Sequence, residues 1–148
     1  MVIYLGADHR GAELKNRMVG FVKGLGYEIM DVHPDPMPDD DYPEIAAAAA
    51  GKAAASTDGS RAILFCGSGA GMDIAANKVH GIRSVLGLSP DQVYDARNDD
   101  DVNVLTISSD FTLPEVAEQM AKVFLNTPFA GAERFVRRVG KLKQMETA

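Results

Sequence analysis

One cysteine, no tryptophan and a deficit of positive charge set the first limits on this 148-residue chain. A lone cysteine excludes an internal disulfide and any cysteine-rich metal site. No apolar run approaches the roughly 20 residues that span a bilayer as a helix. The opening Met1-Val2-Ile3-Tyr4-Leu5-Gly6 lacks the basic stretch and cleavage site of a secretory signal. The expected setting is the cytoplasm, with no membrane partner. The 15 Lys and Arg against 21 Asp and Glu leave a formal net charge of −6, which argues against nucleic acid as a general partner. Internal repeats, linkers and low-complexity tails are also missing.

What is present is an ordinary globular composition, 46% hydrophobic and 24% charged. The length predicts one domain over residues 1–148 with a sizeable core. The charge is unevenly spread. Arg134, Arg137, Arg138, Lys141 and Lys143 face only Glu133 and Glu146 at the C-terminal end, while 35–44 and 91–101 are acidic. An anionic small molecule suits the basic end of such an acidic protein.

The most informative stretch is 61–78, Arg-Ala-Ile-Leu-Phe-Cys-Gly-Ser-Gly-Ala-Gly-Met-Asp-Ile-Ala-Ala-Asn-Lys. Ala62 to Phe65 is long enough for one buried strand, and Cys66 stands at its end. Gly67, Gly69 and Gly71 follow at alternate positions, and the run from Met72 to Asn77 predicts a helix. Strand, glycine turn and helix start place Cys66 beside free backbone N–H groups at the positive end of a helix. That arrangement stabilises a thiolate, an oxyanion or a phosphate.

The remaining pattern predicts strands at 2–7, 27–32, 83–88 and 103–107, and helices at 12–25, 44–55, 90 to about 97, 114–125 and 133–145. Strands alternating with helices predict a parallel sheet covered on both faces. Open sheets of that kind bind ligands at the carboxyl ends of their strands. Polar chemistry falls there at Asp8-His9-Arg10, at Cys66 with its glycine loop, and at 108–110. Asp99 to Asn103 precedes the fifth strand, so it reaches such a site only through the preceding loop or from a neighbouring subunit.

Each candidate has a plainer reading. Cys66 on a buried strand also fits a small core hydrophobe. With the glycine loop beside it, a thiol of reference pKa about 8.5 is expected to be lowered by the N–H dipoles, into the range of a proton-abstracting base. The same N–H groups would hold an enediolate oxygen. As a dinucleotide loop the stretch fails: it lacks the G-x-G-x-x-G spacing, is not the first βα turn, and has no acidic residue set to take a ribose. Asp8-His9 also fits a helix cap and a surface histidine. Arg134 and Arg138 share a helix face, which fits either a solvated surface or a phosphate site.

Taken together, several stretches resemble the family of ribose-5-phosphate isomerase B and the galactose-6-phosphate isomerase subunits. They are Gly6 to Lys15, Asp41-Tyr42-Pro43, Cys66 to Met72, Ile74 to Lys78 with Gly81-Ile82-Arg83, Asn103-Val104-Leu105, and Thr127 to Arg138, in family order over nearly the whole chain. The resemblance implies a Rossmann-like three-layer α/β/α sandwich with a five-stranded parallel sheet. It implies a homodimer or tetramer whose active sites each draw on two subunits, the last helix, about 133–145, reaching the partner. It also implies aldose–ketose isomerisation through a cis-enediol, with no metal or other cofactor. By position, Cys66 would move the proton between C1 and C2. The loop Gly67, Ser68, Gly69, Ala70 and Gly71 would stabilise the enediolate, Ser68 assisting. Asp8 would bind sugar hydroxyls, and His9, Arg134 and Arg138 would hold the phosphate.

The chain departs from the family pattern outside the proton-transfer centre. Asp99 and Asp100 stand where a ring-opening histidine and an asparagine are usual, Asp110 where a phosphate-contacting arginine is common, and Phe135 where a histidine follows arginine. Asp99 therefore takes the ring-opening place and Asp100 the adjoining substrate-binding one, while Asp110 is expected to repel a dianion. The leading expectation is an isomerase of a phosphorylated aldose, with ribose 5-phosphate and ribulose 5-phosphate the first pair. The alternative is a diverged paralogue that binds a sugar or sugar phosphate with altered substrate or little turnover.

Overall fold

Strands and helices alternate as the hydrophobic pattern predicts. In the computed structural model, which describes residues 1–146, the order is β1 (Val2–Ala7), α1 (Ala12–Gly24), β2 (Glu28–Asp31), α2 (Tyr42–Ala54), β3 (Arg61–Cys66), α3 (Ala70–Ala76), β4 (Ser84–Leu86), α4 (Pro90–Asp100), β5 (Val104–Ser108), α5 (Pro114–Asn126) and α6 (Glu133–Met145). The five strands form one sheet in the order β2-β1-β3-β5-β4, with every pairing parallel. Parallel neighbours need a crossover, and the helices supply it. The α/β/α sandwich with a five-stranded parallel sheet is thus the observed architecture.

The two faces of the sheet have different cores because strand side chains alternate. Ile63 and Phe65 of β3 pack with Leu14, Met18 and Val22 of α1, Val93 of α4 and Met120 and Phe124 of α5. Ala62, Leu64 and Cys66 point the other way, onto Ala46, Ala49, Ala50 and Ala53 of α2 and Met72 and Ala76 of α3. Alanine is both a strong helix former and small enough to let α2 lie close to the sheet. No helix of the described residues is long and apolar enough to cross a membrane.

Element ends shift where side chains intervene. β4 is only Ser84–Leu86; it is an edge strand, paired with β5 alone. α4 continues past Arg97 to Asp100 and stops at Asp101, which is left-handed at φ 50°. Arg97 is buried there, donating to the carbonyls of Thr127 (3.0 Å) and Val102 (2.5 Å) and to Asp101 (2.9 Å). α3 begins at Ala70, inside the glycine loop. Its end is fastened to β4 by Asn77, whose side chain accepts from the Ser84 N–H at 2.8 Å and donates to the Ser84 carbonyl at 3.0 Å.

Lys15 is a finding that amphipathic periodicity does not suggest. It is fully buried on α1, with Nζ 2.7 Å from Asp31 and donating to the His33 carbonyl at 3.0 Å. The pair ties α1 to the end of β2 and to the loop that follows. A buried charge stripped of its counterion is strongly destabilising. Asp31→Ala is therefore expected to lower the unfolding free energy by about 3 kcal/mol in urea denaturation. Lys15→Met, which removes the charge and keeps the volume, is expected to cost less; an equal or larger loss would show that the ion pair and hydrogen bonds of Lys15 themselves contribute net stability.

Candidate active site

β1 and β3 are neighbours in the sheet, yet α1 and α3, which follow them, lie on opposite faces. Where successive crossovers diverge, the carboxyl edge of a parallel sheet opens into a ligand crevice. Cys66, the last residue of β3, stands at that edge with its side chain in the α2–α3 layer, 5% exposed.

Hydrogen bonds from neighbouring strand ends lock the peptide around Cys66. The Ser109 N–H donates to the Cys66 carbonyl at 2.9 Å and the Asp110 N–H to the Gly67 carbonyl at 3.0 Å. Ser108 Oγ also donates to the Gly67 carbonyl, at 2.7 Å. From β1, the Asp8 N–H reaches the Phe65 carbonyl at 3.3 Å.

The alternate glycines are required for separate reasons. Gly69 is left-handed, φ 80°, and forms the N-cap of α3, a conformation that costs other residues a Cβ clash. At Gly67 a Cβ would occupy the space of the Arg10 guanidinium, and at Gly71 it would lie 2.7 Å from the Tyr42 ring. Arg10 and Tyr42 thus cover the loop from two sides. The exposed Ser68 turns back on the loop, its Oγ accepting from the Ala70 N–H at 3.3 Å.

The thiol differs from expectation in its ionisation. Burial pushes Cys66 above the ordinary thiol value; N–H groups of Met72 and Gly69 pull it back, Asp8 adds to the rise and Arg10 opposes it. Desolvation outweighs the amide dipoles. The expected lowering is therefore corrected to a rise, because the amides that would stabilise a thiolate sit in the same dry pocket that penalises it. Once ionised, such a thiolate is the stronger base.

Asp8 is buried, and its Oδ1 accepts from the N–H groups of Arg10 and Gly11, both at 3.0 Å, holding the turn into α1. His9 is exposed beside it. Nearby, the Met37 N–H, at 2.7 Å, and His33, at 2.6 Å, hold the Asp40 carboxyl below the usual range, and the charge of His9 adds to the effect.

The other predicted site residues are not brought to Cys66 in one copy of the chain. Asp99 and Asp100 end α4, at the amino end of β5 and the opposite edge of the sheet. Arg134 and Arg138 are exposed on α6, which packs against α4. Phe135 is one of the buried anchors of that helix, with the Arg134 guanidinium 4.3 Å over its ring. Asp110 is not the bare negative charge expected, because it is ion-paired with Arg10. Sequence reasoning placed Arg10 and Ser109 among the polar residues at strand ends but gave them, and Tyr42, no specific role. Arg10 and Tyr42 fall within the motif stretches, but nothing in their spacing shows that they meet the glycine loop.

Clefts by size do not locate the thiol. One of about 900 Å³ lies between β4, α4 and α6 and is lined by His80, Arg83, Asp100 and Leu142. A smaller one of about 410 Å³ opens beside the thiol's edge of the sheet, lined by Arg10, Arg17, Ser109 and Asp110.

A thiol at a strand end, facing fixed backbone N–H groups in a parallel α/β sheet, defines a protein equipped to move a proton and stabilise the resulting anion. The family model described as Ribose/Galactose Isomerase matches residues 3–142. The chain belongs to that family of sugar isomerases. It is 40% identical to ribose-5-phosphate isomerase B of Mycobacterium tuberculosis over 99% of this chain and 90% of that protein. It is 38% identical to a probable ribose-5-phosphate isomerase B of Mycoplasma pneumoniae over 95% and 91%. The crystal structure of ribose-5-phosphate isomerase B from Mycoplasma genitalium with bound ribulose-5-phosphate superposes with a TM-score of 0.93 at 34% identity, covering 98% of this chain and 95% of that one. The Clostridium thermocellum ribose-5-phosphate isomerase B gives 0.93 at 33%, covering 99% and 97%.

The elevated thiol is directly measurable. The rate of Cys66 alkylation by iodoacetamide is expected to rise with pH through a midpoint above that of N-acetylcysteine amide, a neutral peptide-like thiol, measured alongside. A midpoint at or below the free thiol would mean that the amides outweigh burial.

Proposed function

We propose that the protein interconverts ribose 5-phosphate and ribulose 5-phosphate through a cis-enediol, with Cys66 as the base. The Cys66 thiolate takes the C2 proton of the open-chain aldose, and the C–H electron pair becomes the C1–C2 double bond. Negative charge moves to O1, where the N–H groups of Gly67, Gly69, Ala70 and Gly71 receive it, Ser68 assisting. The proton returns to C1 as O2 becomes the ketone oxygen and its own proton passes to O1. Asp8 binds sugar hydroxyls and His9 the phosphate. The observation that carries this reading is the Cys66 sulfur beside the N–H groups of Met72 and Gly69, with family membership behind it.

The reading includes a second copy of the chain. Asp99 and Asp100, on the far edge of the sheet, and Arg134 and Arg138, on the outer helix, reach Cys66 of a neighbouring subunit in a homodimer or tetramer. Asp99 then occupies the ring-opening place, and the arginines the phosphate. Ile74 on α3, Leu88 after β4 and Tyr94 on α4 are large apolar side chains left exposed in the single chain and open to contact with a second copy.

Two experiments test these statements. Cys66→Ala is expected to lower kcat by several orders of magnitude and to abolish exchange of the C2 proton into deuterated water, while ligand binding persists; near wild-type turnover would remove Cys66 as the base. Mixing Cys66→Ala chains with Arg138→Ala chains is expected to restore activity, because one site of the heterodimer is wholly wild type. Failure after proven subunit exchange would count against a shared site.

A further inference from the structure

Arg10 and Asp110 form the one ion pair that spans the mouth of the crevice between the exits of β1 and β5, among the described residues. Its basic member is held in place along its main chain. The Arg10 N–H donates to Asp8 Oδ1 at 3.0 Å, and its carbonyl accepts from Ser109 Oγ at 2.9 Å. From that fixed backbone the side chain crosses the glycine loop, its guanidinium occupying the space a Cβ would need at Gly67. Arg10 is also near enough to Cys66 for its charge to act on the thiol. It is therefore a cation stationed over the loop where the reaction is proposed to occur.

Its remaining hydrogen-bonding capacity sets it apart from the other cation in the adjoining cleft. Arg17 is engaged by Glu118 at 2.8 Å and Glu115 at 3.5 Å. Arg10 meets a single carboxylate, through Nη2. A guanidinium has five N–H donors in a fixed fork, so a partner on Nη2 leaves the rest of the fork for a second anion. At 55% side-chain exposure, against 38% for Asp110, it is open to a ligand entering from solvent. His9, adjacent in sequence and also exposed, lies on the same strand exit.

We propose that Arg10 is a ligand for the phosphate of the substrate, held over the glycine loop by Asp110. The proposal rests on the isomerase reading for its substrate but not for its anion. Asp110 then acts as a positioning residue. It orients the guanidinium, and Arg10 in turn cancels the charge that would otherwise repel a dianion.

A rival explanation is that Arg10 only neutralises Asp110, and calorimetric titration with inorganic phosphate separates the two. Arg10→Ala is expected to weaken phosphate binding about ten-fold or more, the scale of a charge-assisted hydrogen-bond pair, and to raise KM for ribose 5-phosphate more than it lowers kcat. Arg10→Lys is expected to recover part of the loss. The decisive variant is Arg10→Ala/Asp110→Asn, which keeps the local net charge of the native pair and removes the guanidinium. It is expected to stay weakened. Wild-type phosphate affinity in that double variant, an unchanged affinity in Arg10→Ala, or a wild-type protein that binds no phosphate would each overturn the proposal. Thermal melting of each variant confirms that it is folded. If the wild-type protein turns over no sugar phosphate yet loses phosphate binding on Arg10→Ala, the isomerase reading falls and the anion site stands. If it isomerises ribose 5-phosphate and Arg10→Ala changes neither KM nor phosphate affinity, the anion site falls alone.

Discussion

The site depends on the hydrogen bonds that fasten the exit of β5 to the end of β3. The Ser109 and Asp110 N–H groups and Ser108 Oγ take up the carbonyls of Cys66 and Gly67. With those carbonyls held, the loop that follows sets the N–H groups of Gly69 and Met72 beside the Cys66 sulfur. Each glycine of the loop has more conformational freedom to lose than any other residue would have there. Fastened in this way, the loop becomes a fixed array of donors, and donors that need no reorganisation are the ones that stabilise a developing oxyanion most.

The same enclosure sets the character of the thiol. Cys66 is packed with Met72, Leu64 and the alanines of α2, and that dryness raises the cost of its thiolate more than two amide N–H groups lower it. Dryness and preorganised dipoles have one structural origin, the tight meeting of α2 and α3 on β3. Arg10 is the cation that partly offsets it. Its position over Gly67 is available only because Gly67 has no side chain.

Charge is partitioned across the sheet. The thiol's edge carries Asp8, His9, Arg10 and Asp110, while Asp99 and Asp100 end α4 at the other edge and the basic face of α6 lies outside α4. A single copy sets Cys66 beside two backbone N–H groups and leaves Arg134 and Arg138 of α6 exposed. The site shared between subunits that we propose would bring the two together. Within the chain, the far edge is stabilised by buried Arg97 and by Arg83, which donates to the Asp100 carbonyl at 3.0 Å. Asp100 therefore also helps to close the turn before β5, through its backbone.

The sequence by itself determined the alternation of elements, the place of Cys66 at a strand end and the glycine turn after it. Those features are written in short-range pattern: apolar runs, helix stops and glycine spacing. It also carried the family, through motifs in order along the chain. Only the tertiary structure decided that the thiol is held high, since burial is a property of packing between distant segments. It alone showed that Lys15 is buried against Asp31, that Phe135 anchors α6, and that Asp110 is paired with Arg10 across 100 residues of chain. Contacts at such separation leave no periodic trace. A charged residue reads as solvated surface until the fold brings its partner to it.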